Sequence, residues 1–349
     1  VGPGRGIDTD IYHVVCANVL GGCKGTTGPS SLNPGTGKPY GSLFPHITVA
    51  DIVRAHLLLL RYLGIEKLAT IIGGSFGGMQ VLEWVVSNPD TVSRAICVAS
   101  TPRLSAQALA FDVVGRKAIT SDPDWRKGDY YGQDQKPASG LSQARMIGHI
   151  TYLSQEAMAT KFGRDRKIND GAVAAGHEAF KSDFEVESYL DHQGEKFADR
   201  FDANSYLHIA RAMDEFDLGA QHGDLHKAFE SIKSKLLVVA LSDDWLFLPH
   251  QSRDLANDLL RAGKQVSYCE LLAPHGHDAF LVDIENLGNA IKAFLPWIKG
   301  RGNEDLREKR LLERTIDPIR SREFFAVARM IKMGASILDL GCGEGALLQ

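Results

Sequence analysis

The chain has 349 residues, 39 Lys and Arg against 43 Asp and Glu, a formal net charge of −4, 44% hydrophobic and 23% charged residues. That length allows one large or two ordinary domains, and the composition is that of a soluble globular protein. The mild acidity gives no support for a nucleic-acid or anionic-membrane surface, no apolar run reaches the roughly 18 residues of a membrane span, and the opening VGPGRGIDTD lacks a secretory pattern.

Residues 12–20 (YHVVCANVL) read as a strand, followed by a Gly/Pro/Ser-rich loop over 21–45. Thr48 is placed to cap a helix, with Asp51 in its first turn, the apolar run IVRAHLLLLRYLGI behind it, and Gly64 ending it. Residues 68–72 (LATII) form the next strand, 79–86 a helix, and 95–99 (AICVA) a further strand. From about Leu104 to Ile232 no clear strand appears. That stretch is helical in pattern, richer in charge, and interrupted by SDPDW and KPASG. It reads as a helical lid inserted between core strands. A strand over 235–241 (KLLVVAL), an amphipathic helix over 251–262 and a strand over 266–272 resume the core, which finishes near Trp297. Alternating strands and helices of this kind make an α/β fold.

The stretch 70–80, TIIGGSFGGMQ, carries the chemistry. A strand runs into Gly73-Gly74-Ser75-Phe76-Gly77-Gly78, and a helix follows. Such a turn strains the serine backbone, needs neighbours without a Cβ, and lifts the hydroxyl above the sheet edge. The backbone N–H of Phe76 would lie beside it as half of an oxyanion hole. The expected reaction is acyl transfer through an ester on Ser75.

Partners follow in the order acid, then histidine. The strand 235–241 leads into Ser242-Asp243-Asp244-Trp245-Leu246-Phe247, and the strand 266–272 into Pro274-His275-Gly276-His277-Asp278-Ala279-Phe280. Open α/β sheets gather their chemistry at C-terminal strand ends. Ser75 would attack, His277 would take and return its proton, and Asp244 would orient the imidazole. On the residues alone, Asp243 is as good an acid as Asp244 and His275 as good a base as His277.

With these words in place, the chain resembles the homoserine O-acyltransferases of the α/β-hydrolase superfamily. The resemblance is carried by NVLGGCKGTTGPSSLNPGTGKPYGSLFP (18–45), RLSAQALAFDVVGRKAI (103–119), ARMIGHITYLS (144–154), NSYLHIARAMD (204–214), SDDWLF and GHDAF, and it covers about residues 1–298. It implies an α/β-hydrolase core over 1–102 and 233–298 with the lid over 103–232. It also implies Asp244 as the acid, directly before Trp245-Leu246-Phe247, and His277, in G-H-D-A-F, as the base. Arg145 and Tyr152 match an arginine and tyrosine that bind the homoserine carboxylate, and Asp278 an aspartate that binds the amino group. The physics agrees, because a zwitterion is complementary to a guanidinium fork and a carboxylate. Residues seven apart also share a helix face, so an ordinary packed pair would have the same spacing.

The resemblance implies homoserine O-acetyltransferase activity in methionine biosynthesis, by ping-pong transfer from acetyl-CoA. Homoserine O-succinyltransferase with succinyl-CoA, a related esterase and a non-catalytic fragment are the alternatives. No resident cofactor and no metal are expected. A homodimer formed through lid helices is implied. The five cysteines, Cys16, Cys23, Cys97, Cys269 and Cys342, are scattered with no C-x-x-C pair, as in free thiols of a reducing cytoplasm.

Both ends depart from the family pattern. Only one strand precedes the helix leading to the strand–Ser75–helix turn, a nucleophile elbow. Further strands, and the loop giving the second oxyanion N–H, are expected upstream of this chain, so the core reads as N-terminally incomplete. Loss of such a donor costs roughly two to three orders of magnitude in rate. At the other end, a charged linker (299–316) precedes a helix-like segment (321–332) and the run Ser336-Ile337-Leu338-Asp339-Leu340-Gly341-Cys342-Gly343-Glu344-Gly345. This strand and glycine turn resemble the first motif of class I methyltransferases, as in the methionine-biosynthesis regulator encoded beside this acyltransferase. Residues 317–349 therefore read as a partial Rossmann-like start that stops before the ribose-binding acid.

Overall fold

The computed structural model describes residues 1–166 and 184–296, together with the backbone of a strand at 336–340. Six strands form one wholly parallel sheet: β1 His13–Ala17, β2 Leu68–Gly74, β3 Val92–Val98, β4 Lys235–Leu241, β5 Val266–Leu271 and β6 Ser336–Leu340. Their order is β1-β6-β2-β3-β4-β5. All C-terminal strand ends therefore share one edge, where Gly74 pairs with Val98, Val98 with Val239, and Leu241 with Leu271. The run SILDL thus forms a strand, and it lies inside this sheet between β1 and β2, with Thr70 opposite Ile337 and His13 opposite Ser336. The segments expected as linker and as the helix over 321–332 lie outside the described residues.

Helices cover both sheet faces. On one, α1 (Val49–Tyr62), α2 (Phe76–Ser87) and α10 (Pro249–Arg261) bury Val53, Leu82, Trp84 and Leu259 against Leu68, Ile71 and Val238. On the other, α12 (Ile284–Phe294) places Leu287 and Ile291 over Ile72, Ile96 and Val239. Adjacent residues Ile71 and Ile72 point to opposite faces, and both are buried, as parallel strands between helix layers require. Thr48 caps α1 as expected: its hydroxyl accepts from Asp51 N–H at 3.2 Å while the Asp51 carboxylate accepts from Thr48 N–H at 3.0 Å.

Between β3 and β4 the described residues are helical: α3 Ala106–Ser121, α4 Ala138–Tyr152, α5 Gln155–Phe162, α6 Glu185–Arg200, α7 Ala203–Asp214, α8 Leu218–His222 and α9 Leu225–Glu230. Ile119, Leu141, Ala144, Phe197 and Ala203 form a separate small core among α3, α4, α6 and α7. A short helix α11 (Ala279–Val282) precedes α12. Cys16, Cys23, Cys97 and Cys269 are free thiols. Among the described residues no helix is long and apolar enough to cross a membrane.

Candidate active site

The elbow is built by close backbone packing. A Cβ on Gly73 would come within 2.2 Å of the Gly77 carbonyl oxygen, one on Gly74 within 2.8 Å of the Phe280 ring, and one on Gly78 within 2.4 Å of Ser100 Cβ. Ser75 takes φ 54° and ψ −121°, a conformation that costs a non-glycine residue about 1–3 kcal/mol. The surrounding chain enforces it: Ser75 N–H donates to Val98 O and Gly78 N–H to Ser75 O, each at 2.9 Å. Because Ser75 turns straight into the helix, α2 begins at Phe76, three residues before the apolar pattern suggests. Phe76 N–H thus belongs to the first turn of α2, where N–H groups lack intrahelical acceptors and the helix dipole favours negative charge.

Asp244 follows β4 and is buried, as is His277 after β5. Nδ1 of His277 lies 2.6 Å from Oδ2 of Asp244, while Oδ1 accepts from Leu246 N–H at 3.0 Å and Phe247 N–H at 2.8 Å. A buried carboxylate supplied with three donors is satisfied without water. Asp243 instead accepts from its neighbour Ser242 Oγ at 2.5 Å, and His275 is exposed. The geometry therefore pairs His277 with Asp244. Phe247 stacks on the imidazole at 5.2 Å, and Phe280, whose ring covers Gly74, packs edge-on to it at 5.5 Å. Phe280 thereby links the histidine loop to the residue beside Ser75. Burial opposes charge on His277, but the Asp244 carboxylate and its hydrogen bond, with Asp278 behind, outweigh it and raise the imidazole pKa above its ordinary value.

The lid meets this loop at the turn between α4 and α5. Tyr152 O accepts from Asp278 N–H at 3.1 Å, His275 O from Ser154 N–H at 3.2 Å, and Leu153 O from Trp245 Nε1 at 3.0 Å. The Ser154 hydroxyl also donates to Pro274 O. Gly276, at φ 84°, is needed there, since a Cβ would sit 2.5 Å from Ser154 N. Tyr152 lies 6.0 Å from the His277 ring, and the Arg145 guanidinium is 5.5 Å from the Tyr152 ring and 4.7 Å from that of Phe197. Tyr152 and Asp278 thus lie beside the imidazole, with Arg145 on the far side of Tyr152. Two residues that the sequence reading passed over join them: His149, on the Arg145–Tyr152 face of α4, and Tyr189 of α6, whose hydroxyl is 3.0 Å from His149 Nδ1. The i, i+4, i+7 spacing of Arg145, His149 and Tyr152 was the available signal for the first. A cavity of about 240 Å³ lined by Cys23, Tyr130, Lys136, Arg200 and Asp202 lies elsewhere, and none of Ser75, Asp244, His277, Arg145, Tyr152 and Asp278 lines it.

Residues 4–284 match the α/β hydrolase fold family. A homoserine O-acetyltransferase of Rhodospirillum rubrum is 52% identical over 84% of this chain and 75% of its own length. The chain belongs to the homoserine O-acyltransferase family. A homoserine O-succinyltransferase of Burkholderia multivorans is 51% identical over 84% of the chain and 77% of its own length. A bifunctional methionine biosynthesis protein MetXA/MetW of Rhodopirellula baltica is 45% identical over the whole chain, which spans 54% of that protein. Among solved structures, homoserine O-acetyltransferase from Bacillus anthracis superposes with TM-score 0.75 at 25% identity, covering 86% of this acyltransferase-family chain and 81% of that one. Esterase E22 gives 0.73 at 30% identity, covering 84% and 81%. Both sit on the same fold, so the fold alone does not separate transfer from hydrolysis.

Proposed function

We propose that the chain transfers an acetyl group from acetyl-CoA to the hydroxyl of L-homoserine through an acyl ester on Ser75. Ser75 Oγ attacks the thioester carbonyl while His277 Nε2 takes its proton. The oxyanion forms against Phe76 N–H, the carbon–sulfur bond breaks, and the thiolate leaves with the proton from His277. Asp244 holds Nδ1–H throughout and stabilises the imidazolium. Homoserine then binds with its carboxylate on Arg145 and Tyr152 and its ammonium on Asp278. His277 removes the hydroxyl proton, the alkoxide attacks the ester, and the proton returns to Ser75. The observation that carries this reading is the buried 2.6 Å His277–Asp244 pair with the Arg145–Tyr152 face of the lid pinned beside it.

Names of relatives support both acetyl and succinyl donors, and succinyl-CoA is the second reading. Intact-mass analysis after mixing with each donor, without homoserine, tests both. An adduct on the Ser75 peptide, discharged by homoserine, supports the mechanism, and its mass identifies the acyl group. No adduct with either donor on folded protein would sink it. An adduct that water discharges as fast as homoserine does would make the chain an esterase. A biosynthetic role of this kind fits a cytoplasmic homodimer; residues 317–349 as a methyltransferase-like segment is a separate reading, in which SILDL would leave its place between β1 and β2 for a sheet of its own. Sedimentation tests the dimer, and binding of S-adenosylmethionine tests the segment.

A further inference from the structure

His149 is 7% exposed, and its environment keeps it neutral. Burial first, then the charges of Arg145, Lys161 and Arg200, push its pKa down to about 3. A neutral imidazole has one N–H and one lone pair. Nδ1 faces the Tyr189 hydroxyl at 3.0 Å, whereas buried Nε2 has no hydrogen-bond partner among the described residues. If the proton sat on Nε2, a buried N–H would go unpaired. If it sits on Nδ1, only a lone pair goes unpaired, which is the milder defect. The tautomer is therefore Nδ1–H, donating to the Tyr189 oxygen. The phenol's own hydrogen must then point elsewhere.

The Tyr189 ring is fixed on several sides. Phe162 packs on it at 4.8 Å, Lys161 Nζ lies 4.4 Å from its centroid, and the His149 ring meets it edge-on at 5.6 Å. The hydroxyl lies in the field of both groups assigned to the acceptor: burial chiefly raises its pKa, Asp278 raises it further, and Arg145 lowers it. His149 also contacts Tyr152 edge-on at 5.8 Å, so the same imidazole touches two phenols on the acceptor side of His277.

We propose that Tyr189 is a further recognition group for the acceptor's carboxylate, its hydroxyl hydrogen directed beside Arg145 by the Nδ1–H of His149. The assignment deepens the acyltransferase reading and rests on it for the identity of the acceptor. His149 is a positioning residue, acting on the acceptor through Tyr189.

Calorimetry with L-homoserine and with 3-aminopropan-1-ol, its analogue without the carboxylate, tests it on the full chain. Tyr189→Phe keeps the ring and should weaken homoserine binding about 10- to 100-fold, the range for a hydrogen bond to a charged group. Binding of 3-aminopropan-1-ol should change less than about 2-fold, since only the carboxylate contact is lost. His149→Leu should reproduce the loss. His149→Asn, whose amide N–H can stand where Nδ1–H stands, should restore most of it. Equal weakening of both ligands, homoserine binding by Tyr189→Phe that matches wild type, or no homoserine binding by wild type would each overturn the proposal. A wild-type chain that forms no acyl-serine but shows the expected pattern would refute the acyltransferase reading and leave this assignment standing.

Discussion

Asp244→Asn is the most exacting change for the proposed mechanism. The asparagine oxygen can keep both backbone bonds, to Leu246 and Phe247 N–H, because those reach Oδ1 alone. Its amide nitrogen then replaces Oδ2, 2.6 Å from His277 Nδ1. Two donors cannot face each other at that distance, so Nδ1 must become the acceptor and the imidazole proton must move to Nε2. That nitrogen can no longer take a proton from Ser75. Fold and burial stay nearly intact while the base is in the wrong tautomer, a defect worth about 10⁴-fold in a Ser-His-Asp system. At 1.36 kcal/mol per tenfold, that is about 5.4 kcal/mol of transition-state stabilisation. The assay is the single-turnover rate of CoA release at saturating acetyl-CoA, with circular dichroism to show the fold is kept. Acylation by folded Asp244→Asn at more than about a tenth of the wild-type rate would refute the role given to this pair.

The raised pKa of His277 sets a pH profile. The base must be neutral, so acylation rises with pH through a limb above the ordinary imidazole value of about 6.5, and Asp278→Asn should move that limb to lower pH; the burst rate without homoserine reads it, and an unmoved limb would remove Asp278 from the electrostatics. The same raised pKa stabilises the fold below the unfolded imidazole value and loses that contribution as pH rises through the folded one, which urea midpoints for wild type and His277→Gln across that window should show. Gly276→Ala forces a Cβ to 2.5 Å from Ser154 N at φ 84°, and should cost about 1–3 kcal/mol in urea unfolding together with acylation rate; stability lost without rate would mean that the lid turn does not position His277. Thr48→Ala breaks the capping box far from the chemistry, and should lower stability by about 1 kcal/mol with acylation unchanged.

The elements that punctuation and periodicity define were legible in the sequence. KLLVVAL is β4 to the residue, Thr48 and Asp51 make the expected cap, and the stretch read as a lid holds helices and, apart from two isolated β-bridges, no strand among its described residues. Spacing could not choose between Asp243 and Asp244, because the choice depends on a turn that aims two backbone N–H groups at one carboxylate. Nor could it find Tyr189, which reaches the site from α6 through a tertiary contact more than thirty residues away from His149. The place of SILDL was equally hidden. Its apolar pattern suits any buried parallel strand, and the sheet it joins is decided by which neighbours offer unpaired backbone groups, here β1 and β2.

Transfer and hydrolysis would use the same proposed Ser75, Asp244 and His277, so what separates them must act after the acyl-serine forms. Water and homoserine then compete for one ester. The turn Tyr152–Leu153–Ser154 bears on that competition because it is bonded to the acid loop through Trp245 and to the histidine loop through Asp278 and His275. Four bonds of about 1 kcal/mol each, the Ser154 hydroxyl to Pro274 O among them, are enough to hold a turn in register, and too few to define a rigid wall. Selectivity for the acceptor would thus come from what homoserine itself adds. Its carboxylate would draw Arg145, Tyr152 and Tyr189 together on the lid side, and its ammonium would engage Asp278 on the loop side. An acceptor bridging both sides would add its own contacts to the bonds that hold this turn, which water would not. An alcohol lacking either charge should therefore discharge the acyl-serine little faster than water does.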